Sequence, residues 1–265
     1  MTITSRSNPL ITEVCSYKNK KNRDEDGVFV FEGIKLFYEA LKNGVEIRHI
    51  FATEKMLSRC SALADKERII TVSDSVYEKM SQEKSPEGVI CVAKRIDKIH
   101  NINKIYNIEE ISSSNERKLL LSSLRDPGNL GTVIRTCRAF GCGEIIMSCD
   151  CADIYNSKTV RASMGTLFSQ KISIVQDLAQ TVKDMKAGGY NVCAAVLDST
   201  SCALNEMKID SKTAFIVGNE GHGIAPDVIE AASGKVYIPM ADGVESLNAA
   251  VAATVFMWQS MLSEK

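Results

Sequence analysis

The sequence is poor in several features that mark specialised classes of protein. Its 265 residues include only 5 prolines and 16 glycines, which excludes a collagen-like, low-complexity or largely disordered chain. No stretch of roughly 18 uncharged apolar residues occurs, so no transmembrane helix is expected. The first residues, MTITSRSNPLITEV, lack the apolar core of a secretory signal, and this favours a cytoplasmic location.

Histidines and paired cysteines are also scarce. The 3 histidines are scattered, and the 9 cysteines are odd in number and form no C-x-x-C pair. A disulfide framework is therefore not expected, and the cysteines are interpreted as reduced and mostly buried. Cys149 and Cys151 are too close in sequence for ordinary structural zinc spacing, so no metal site is predicted.

The chain also lacks a large excess of charge of either sign, since 32 Lys and Arg residues balance 33 Asp and Glu residues. A net charge of −1 argues against nucleic-acid binding by bulk electrostatics, although it permits a local patch. One such patch is YKNKKNR at residues 17–23, with four cations and no acid. From these residues alone, a solvated helix end and a binding surface are both open interpretations.

The chain divides by its hydrophobic patterns into two parts. Residues 1–96 alternate helix-like and strand-like segments, which predicts a small α/β domain. Residues 97–116 are polar and rich in Asn and Ser, which predicts a linker with one short helix around residues 102–111. Residues 117–265 contain the apolar runs LLLSSL, EIIMS, YNVCAAV and TAFIVGN between helical segments, and end in a long apolar helix. This pattern predicts a mostly parallel sheet with helices on both faces.

Three loops of the second part follow predicted strands and carry polar residues. They are DPGNLG at residues 126–131, GNEGHGI at residues 218–224 and IPMADGVESLN at residues 238–248. Taken singly, each is explained by a turn or a helix cap, with Asn129 suited to an N-cap. Ligands of parallel sheets bind beyond the carboxyl ends of strands, where these loops are predicted. No dinucleotide glycine fingerprint is present, which disfavours a nucleotide-dependent oxidoreductase.

Together, and in this order, the loops resemble the SpoU (TrmH-type) branch of the SPOUT RNA methyltransferases. The likeness is carried by N-x-G-x-x-x-R from Asn129 to Arg135, by IVGNEGHG, by IPMADGVESLNAAVA, and by an R-x-S-x-G stretch from Arg161 to Gly165. NPLITEV, KNKKNR and FVFEGIKLFYEAL resemble the L30e-like substrate-binding module of that family. The resemblance implies a C-terminal α/β knot (a deep trefoil) that forms a homodimer, with an active site partly shared across the interface.

The resemblance further implies transfer of a methyl group from S-adenosyl-L-methionine to a ribose 2′-oxygen of RNA. The residues implied for cofactor binding are Leu197, Gly218, Asn219, Ile238, Met240, Ser246 and Leu247. Those implied for catalysis are Arg135, Asn129, Glu220, Ser246 and Asn248. A guanidinium rarely gives up its proton, so a general base and a phosphate or alkoxide clamp are both open roles for Arg135.

The implied RNA-binding residues are Lys18, Lys20, Lys21, Arg23 and Arg161. Ribosomal RNA is the preferred substrate because relatives with an L30e-like module mostly act on it, and guanosine is one candidate nucleotide. Methylation of tRNA is an alternative. A member of the family that binds RNA without catalysis is another, although the five retained catalytic positions oppose it.

Overall fold

A computed structural model describes residues 2–96, 99–102, 116–219, 221–244 and 246–263. The described chain forms two compact units. Unit 1 comprises Met1–Asp97 and Ile154–Ser169, and unit 2 comprises Lys98–Asp153 and Gln170–Lys265. The predicted catalytic residue Glu220 lies outside the described residues, as does the predicted helix from residue 103 onward.

Helices and strands alternate along most of the chain. The helices are α1 Pro9–Ser16, α2 Lys20–Asp26, α3 Ile34–Lys42, α4 Glu54–Ser61, α5 Asp74–Met80, α6 Pro127–Ala139, α7 Ser157–Ala162, α8 Leu178–Ala187, α9 Pro226–Ala231 and α10 Ala249–Leu262. The strands are β1 Val28–Glu32, β2 Ile47–Thr53, β3 Ile69–Val72, β4 Val89–Lys94, β5 Ile99–Ile102, β6 Lys118–Leu121, β7 Glu144–Ser148, β8 Lys171–Val175, β9 Asn191–Ala195, β10 Cys202–Ala203, β11 Thr213–Val217 and β12 Gly234–Tyr237. None of the helices formed by the described residues has the length and apolarity needed to cross a bilayer.

Unit 1 has its own mixed sheet, in the order β1-β4-β2-β3. Strand β4 runs antiparallel to β1 and β2, whereas β3 is parallel to β2. Helix α1 begins where the sequence predicts, because Pro9 occupies its first turn and the Asn8 side chain accepts a hydrogen bond from the Leu10 amide. The predicted small α/β domain with a separate sheet is confirmed.

Unit 2 is built on a sheet in the order β10-β12-β9-β11-β6-β7-β8-β5, and every pairing in it is parallel. On one face Phe215 stacks on Phe256 of α10, with ring centroids 4.7 Å apart. On the other face Ile216 shares a buried cluster with Val182 of α8 and Val228 of α9. Because side chains alternate along a strand, these neighbours point to opposite faces, and the prediction of a doubly covered parallel sheet is confirmed.

Two segments differ from the organisation expected from the sequence. Strand β5, inside the predicted linker, pairs with β8. Residues 154–169, predicted as part of the second domain, belong to unit 1, where Tyr155 contacts Phe29 with ring centroids 4.9 Å apart. The β5–β8 pairing and the place of residues 154–169 in unit 1 both depend on contacts with residues distant in sequence, and local sequence patterns carry no information about such contacts. The trefoil knot stays a prediction.

A buried ion pair lies where β6, β7 and β8 begin. Lys118 donates a hydrogen bond to Glu144 at 2.6 Å, and both side chains are almost completely buried. Ser173 donates to the other oxygen of Glu144, also at 2.6 Å. Burial alone would raise the pKa of Glu144, but the charge of Lys118 and the hydrogen bonds from Lys118 and Ser173 more than offset this effect and lower it.

Candidate cofactor and catalytic site

A cavity of about 240 Å³ opens beyond the carboxyl ends of β9, β11 and β12, which are neighbours in the sheet. Its floor and walls are mainly apolar and include Val217, Val236 and Phe256. All seven residues predicted to bind the cofactor line this one cavity: Leu197, Gly218, Asn219, Ile238, Met240, Ser246 and Leu247. The three loops that follow β9, β11 and β12, separated by up to 50 residues along the chain, therefore converge on one space, as expected for the open end of a parallel sheet. The loop at residues 126–131 is not part of the cavity lining.

Gly218 is required by a close approach of two backbone segments. A β-carbon at this position would lie 2.4 Å from the carbonyl carbon of Gly223 and 2.6 Å from the amide nitrogen of Ile224. Asn219 and Gly223 exchange backbone hydrogen bonds of 3.0 and 2.9 Å, which hold these two residues together. Gly218 thus permits a close backbone approach at the cavity wall, and Gly223, with φ of 67°, adopts a left-handed conformation there.

The Asn219 side chain fixes the same loop from both of its ends. Its Oδ1 accepts hydrogen bonds from the amides of Gly221 and His222, at 2.8 and 3.3 Å. Its Nδ2 donates to the backbone carbonyl of Ser123 at 3.0 Å, which ties the loop to the end of β6. Asn219 therefore combines a structural role with its position on the cavity.

Ser123 adopts a left-handed backbone conformation, with φ of 55°, which is uncommon for a residue with a side chain. Its amide donates to the Ser148 hydroxyl at 2.9 Å, and its own hydroxyl donates to Asp150 at 2.6 Å. Burial alone would raise the pKa of Asp150, but hydrogen bonds from Ser123 and Ser148 more than offset this effect and lower it. An ionised Asp150 thereby accepts a hydrogen bond from Ser123 and fixes its position, and the Ser123 carbonyl in turn accepts a hydrogen bond from Asn219.

Two of the predicted catalytic residues are in direct contact. Asn248 Nδ2 donates to Asn129 Oδ1 at 3.1 Å. Asn248 is also the N-cap of α10, since its Oδ1 accepts from the amides of Ala250 and Val251 at 2.9 and 3.3 Å. The contact joins the beginnings of α6 and α10 beside the cavity, whose lining includes Ala249.

The structure corrects the prediction that Asn129 caps α6. The cap is Asp126, whose side chain accepts a hydrogen bond from the Asn129 amide at 2.7 Å, with Pro127 in the first turn. A carboxylate followed by proline is a strong helix start, which leaves the Asn129 side chain available to Asn248.

Arg135 and Ser246, also predicted for catalysis, are both exposed. Arg135 follows Asn129 by six residues on α6, about 9 Å along the helix axis. Within the part of the chain that the structure describes, its guanidinium has no ion-pair or hydrogen-bond partner. Arg135 is thus a cation available to an anionic ligand.

The residues predicted to bind RNA are placed less favourably. Arg23 is buried and donates to the carbonyls of Tyr17 and Lys18, so its predicted contact with RNA is wrong. Its guanidinium is thus used to satisfy two carbonyls of the turn before α2. The others are exposed but engaged: Lys18 with the Lys79 carbonyl, Lys20 with Asp24, Lys21 with Glu25, and Arg161 with Glu83.

Sequence reasoning missed several contributors. Ser123, Ser148 and Asp150 were not singled out, because a left-handed serine has no sequence signature of its own. Phe256 was identified only as part of an apolar helix, although it lines the cavity. Asp198, beside Leu197, accepts a hydrogen bond from Lys235 at 2.6 Å that lowers the pKa of its carboxyl well below the ordinary value and ties the β9 loop to β12.

Comparisons with known proteins match both units. Residues 116–258 match the SpoU rRNA Methylase family, and residues 8–91 match the MRM3-like substrate binding domain. A relative from Synechocystis sp., named as an uncharacterized tRNA/rRNA methyltransferase, is 30% identical over 97% of this chain and 92% of its own length. The 23S rRNA (guanosine(2553)-2′-O)-methyltransferase RlmP of Bacillus subtilis is 28% identical over 97% of both chains.

Among solved structures, the AdoMet-bound rRNA methyltransferase of Sinorhizobium meliloti superposes with a TM-score of 0.82. It is 27% identical, and the match covers 98% of this chain and 97% of that one. The family match extends over more than half of the chain and includes all three loops that form the cavity and the Asn129–Asn248 contact. The chain belongs to the SpoU rRNA methylase family.

Proposed function

We propose that this protein is an S-adenosyl-L-methionine-dependent methyltransferase that modifies a ribose 2′-oxygen of ribosomal RNA. The observation that carries the proposal is the convergence of three loops on one cavity, with the Asn129–Asn248 contact at its side. The relatives support it, since RlmP is named as a 2′-O-methyltransferase of 23S rRNA and the Sinorhizobium meliloti structure is named as AdoMet-bound.

The cavity fits the cofactor by the chemistry of its lining. Leu197, Ile238, Met240, Leu247 and Phe256 provide apolar surface for an adenine ring and the methionine chain. The loops after β9, β11 and β12 line the cavity, and backbone amides and carbonyls in such loops can bind the edges of adenine and ribose. When bound, the cofactor supplies a methyl group on a sulfonium, and the protein supplies alignment and electrostatics.

Side chains at the cavity, at the Asn129–Asn248 contact and farther along α6 suit the handling of an RNA ribose. A ribose hydroxyl is a poor nucleophile until its proton is withdrawn or its developing charge is stabilised. Arg135 is an exposed cation without an ion-pair partner among the described residues, and we assign it to the phosphate beside the target ribose or to the emerging alkoxide. Asn129, held by Asn248, offers an amide to orient the hydroxyl, and Ser246 at the cavity offers a further hydroxyl. Glu220 belongs to the proposal by resemblance alone.

We further propose a homodimer formed through unit 2. Helix α10 carries an apolar row, Val251, Val255, Trp258 and Leu262, at positions i, i+4, i+7 and i+11, which share one side of a helix. Val251 is 48%, Trp258 46% and Leu262 40% exposed, a large apolar area for a helix surface. Trp258→Glu is expected to give a monomer by analytical ultracentrifugation, whereas Ser263→Glu is not. A dimeric Trp258→Glu variant would refute this interface.

Two measurements test the proposed activity. Calorimetric titration is expected to show binding of S-adenosyl-L-methionine and no binding of NADH. Mapping of ribose methylation in ribosomal and transfer RNA, from cells with and without the gene, is expected to show one missing ribosomal site. A missing site in tRNA would show that tRNA, and not ribosomal RNA, is the substrate. An unchanged methylation map together with no binding of S-adenosyl-L-methionine would overturn the proposal. We place the protein in the cytoplasm as part of the same proposal.

A further inference from the structure

A surface groove between α3 and α4 of unit 1, here called the α3–α4 groove, is separate from the predicted RNA-binding patch. It has a volume of about 420 Å³ and is lined by Ile34, Lys35, Tyr38, Arg59, Ala62 and Leu63. Two of these six residues are cationic and none is acidic. Since the five predicted RNA-binding residues are buried or engaged, this groove is a stronger candidate for contact with RNA.

Helix geometry places the lining residues together. Lys35 and Tyr38 are three residues apart on α3, and Arg59 and Leu63 are four apart along α4 and the turn that follows it, so each pair shares one side. Tyr38 is 50% exposed, so one part of its ring packs on the protein and the other is open to solvent. An exposed aromatic ring beside two cations is the arrangement that binds an unpaired base and its phosphates.

The cations of the groove are not neutralised in the way that those of the predicted patch are. Among the residues that the structure describes, Lys35 and Arg59 have no ion-pair partner, whereas Lys20 and Lys21 pair with Asp24 and Glu25. The carboxylate of Glu87 lies near the start of α3, but it accepts a hydrogen bond from the Ile34 amide and caps that helix.

We infer that the α3–α4 groove binds an unpaired nucleotide of the RNA substrate, with the base on Tyr38 and the flanking phosphates at Lys35 and Arg59. The inference rests on the proposed function and adds a specific contact surface on unit 1. The two cations of the lining complement a phosphate backbone, and an apolar peptide would have little use for them. The phenol hydroxyl of Tyr38 adds a donor and acceptor for a base edge or a 2′-hydroxyl.

The test measures binding of large-subunit ribosomal RNA purified from cells that lack the gene, by filter retention at several salt concentrations. Tyr38→Ala is expected to weaken binding about 10-fold or more because the base no longer stacks, and Tyr38→Phe to stay within about twofold of wild type. Lys35→Gln with Arg59→Gln is expected to reduce the slope of log affinity against log salt by about 0.7 for each phosphate that is no longer neutralised. The matched double variant is Lys66→Gln with Lys183→Gln, two exposed lysines outside the groove that also have no ion-pair partner among the described residues. This variant is expected to leave that slope near wild type.

The outcomes separate this inference from the proposed function. Wild-type protein that neither binds the RNA nor binds S-adenosyl-L-methionine would refute the proposed function itself. If the wild-type protein binds the RNA and the groove variants keep the same affinity and salt slope, the inference about the groove is overturned while the proposed function stands. The same conclusion follows if RNA binding is weakened only in Lys20→Gln with Lys21→Gln. Unaltered melting temperature and S-adenosyl-L-methionine affinity show that the groove variants are folded.

Discussion

The side chains of Asn248 and Asn129 are hydrogen-bonded at 3.1 Å, although 119 residues separate them in the sequence. Each has a second function that fixes its position: Asn248 caps α10, and Asn129 lies in the first turn of α6, whose cap is Asp126. Both amides are therefore held before any substrate arrives. Preorganised polar groups of this kind lower the reorganisation needed during a reaction.

The contact gives a prediction that separates orientation from helix capping. In Asn248→Asp the carboxylate still accepts from the amides of Ala250 and Val251, but it cannot donate to Asn129. We expect the rate of methyl transfer to fall at least about 10-fold, which corresponds to an activation free energy higher by roughly 1.4 kcal/mol, because the groups are no longer aligned. The melting temperature is expected to change little. Asn129→Asp keeps an acceptor for Asn248 and serves as the comparison. Equal activity of Asn248→Asp and wild type would contradict an orienting role.

A second prediction concerns the loop after β11. Gly218→Ala places a β-carbon within 2.4 to 2.6 Å of the backbone at Gly223 and Ile224, so this loop must move. We expect the affinity for S-adenosyl-L-methionine to fall at least about 10-fold, or about 1.4 kcal/mol, by calorimetry. Gly234→Ala, in the same unit and with nothing within 4 Å of its added carbon, is the control. Unchanged affinity in Gly218→Ala would show that the loop geometry is irrelevant to the cofactor.

The role of Arg135 can be tested against a neighbour on the same helix. Arg135→Ala is expected to abolish methyl transfer to RNA and to leave cofactor affinity nearly unchanged, because the guanidinium acts on the RNA. Arg138→Ala, which removes another exposed arginine of α6, is expected to retain activity. A rescue experiment with Arg135→Lys tests for a bidentate clamp, since lysine cannot reproduce the planar fork. Full activity of Arg135→Ala would remove this residue from the mechanism.

The buried Lys118–Glu144 pair predicts a pH dependence of stability. The pKa of Glu144 is lower in the folded protein than its ordinary value, so its contribution is present above about pH 4.3 and is lost as the pH falls through the folded value. Glu144→Gln leaves Lys118 buried without a counter-charge, and we expect a loss of about 3 kcal/mol or more at pH 7.

Urea unfolding at several pH values from about 3 to 7 measures this contribution. The difference between wild type and Glu144→Gln is expected to narrow at the acidic end, because protonation removes the same charge. Glu46→Gln breaks an exposed pair with Lys94 and is expected to change stability by less than about 1 kcal/mol. A constant difference across the whole pH range would contradict the assigned cause.

Local patterns in the sequence predict much of this architecture. The buried runs KLLL and TAFIV are apolar almost throughout, and such runs indicate parallel strands covered on both faces, as the structure confirms. The cofactor residues were implied by the resemblance to the family, and they lie in loops that follow such strands. The carboxyl ends of neighbouring parallel strands necessarily lie at one edge, so these loops come together. Short strands such as β5 gave no signal, because their stability comes from the partner strand.

The predicted RNA patch shows the limit of this reasoning. KNKKNR is basic when read alone, yet α2 continues with three acids, and one helical turn brings Asp24 to Lys20 and Glu25 to Lys21. Arg23 falls on the inner side of the same helix and is buried. The positive charge counted along residues 17–23 is therefore larger than the unpaired positive charge that this segment exposes at the protein surface.

Hydrophobic pattern, capping preference and backbone freedom are local properties of a chain, and they were enough to indicate most strands, several helix starts and the glycines of the β11 loop. Three-dimensional packing established the rest: Asn248 meets Asn129, Ser123 is held in a left-handed conformation, and Lys20 and Lys21 pair with acids. Contacts between distant segments depend on how elements pack against one another, and a one-dimensional pattern contains no distance between them.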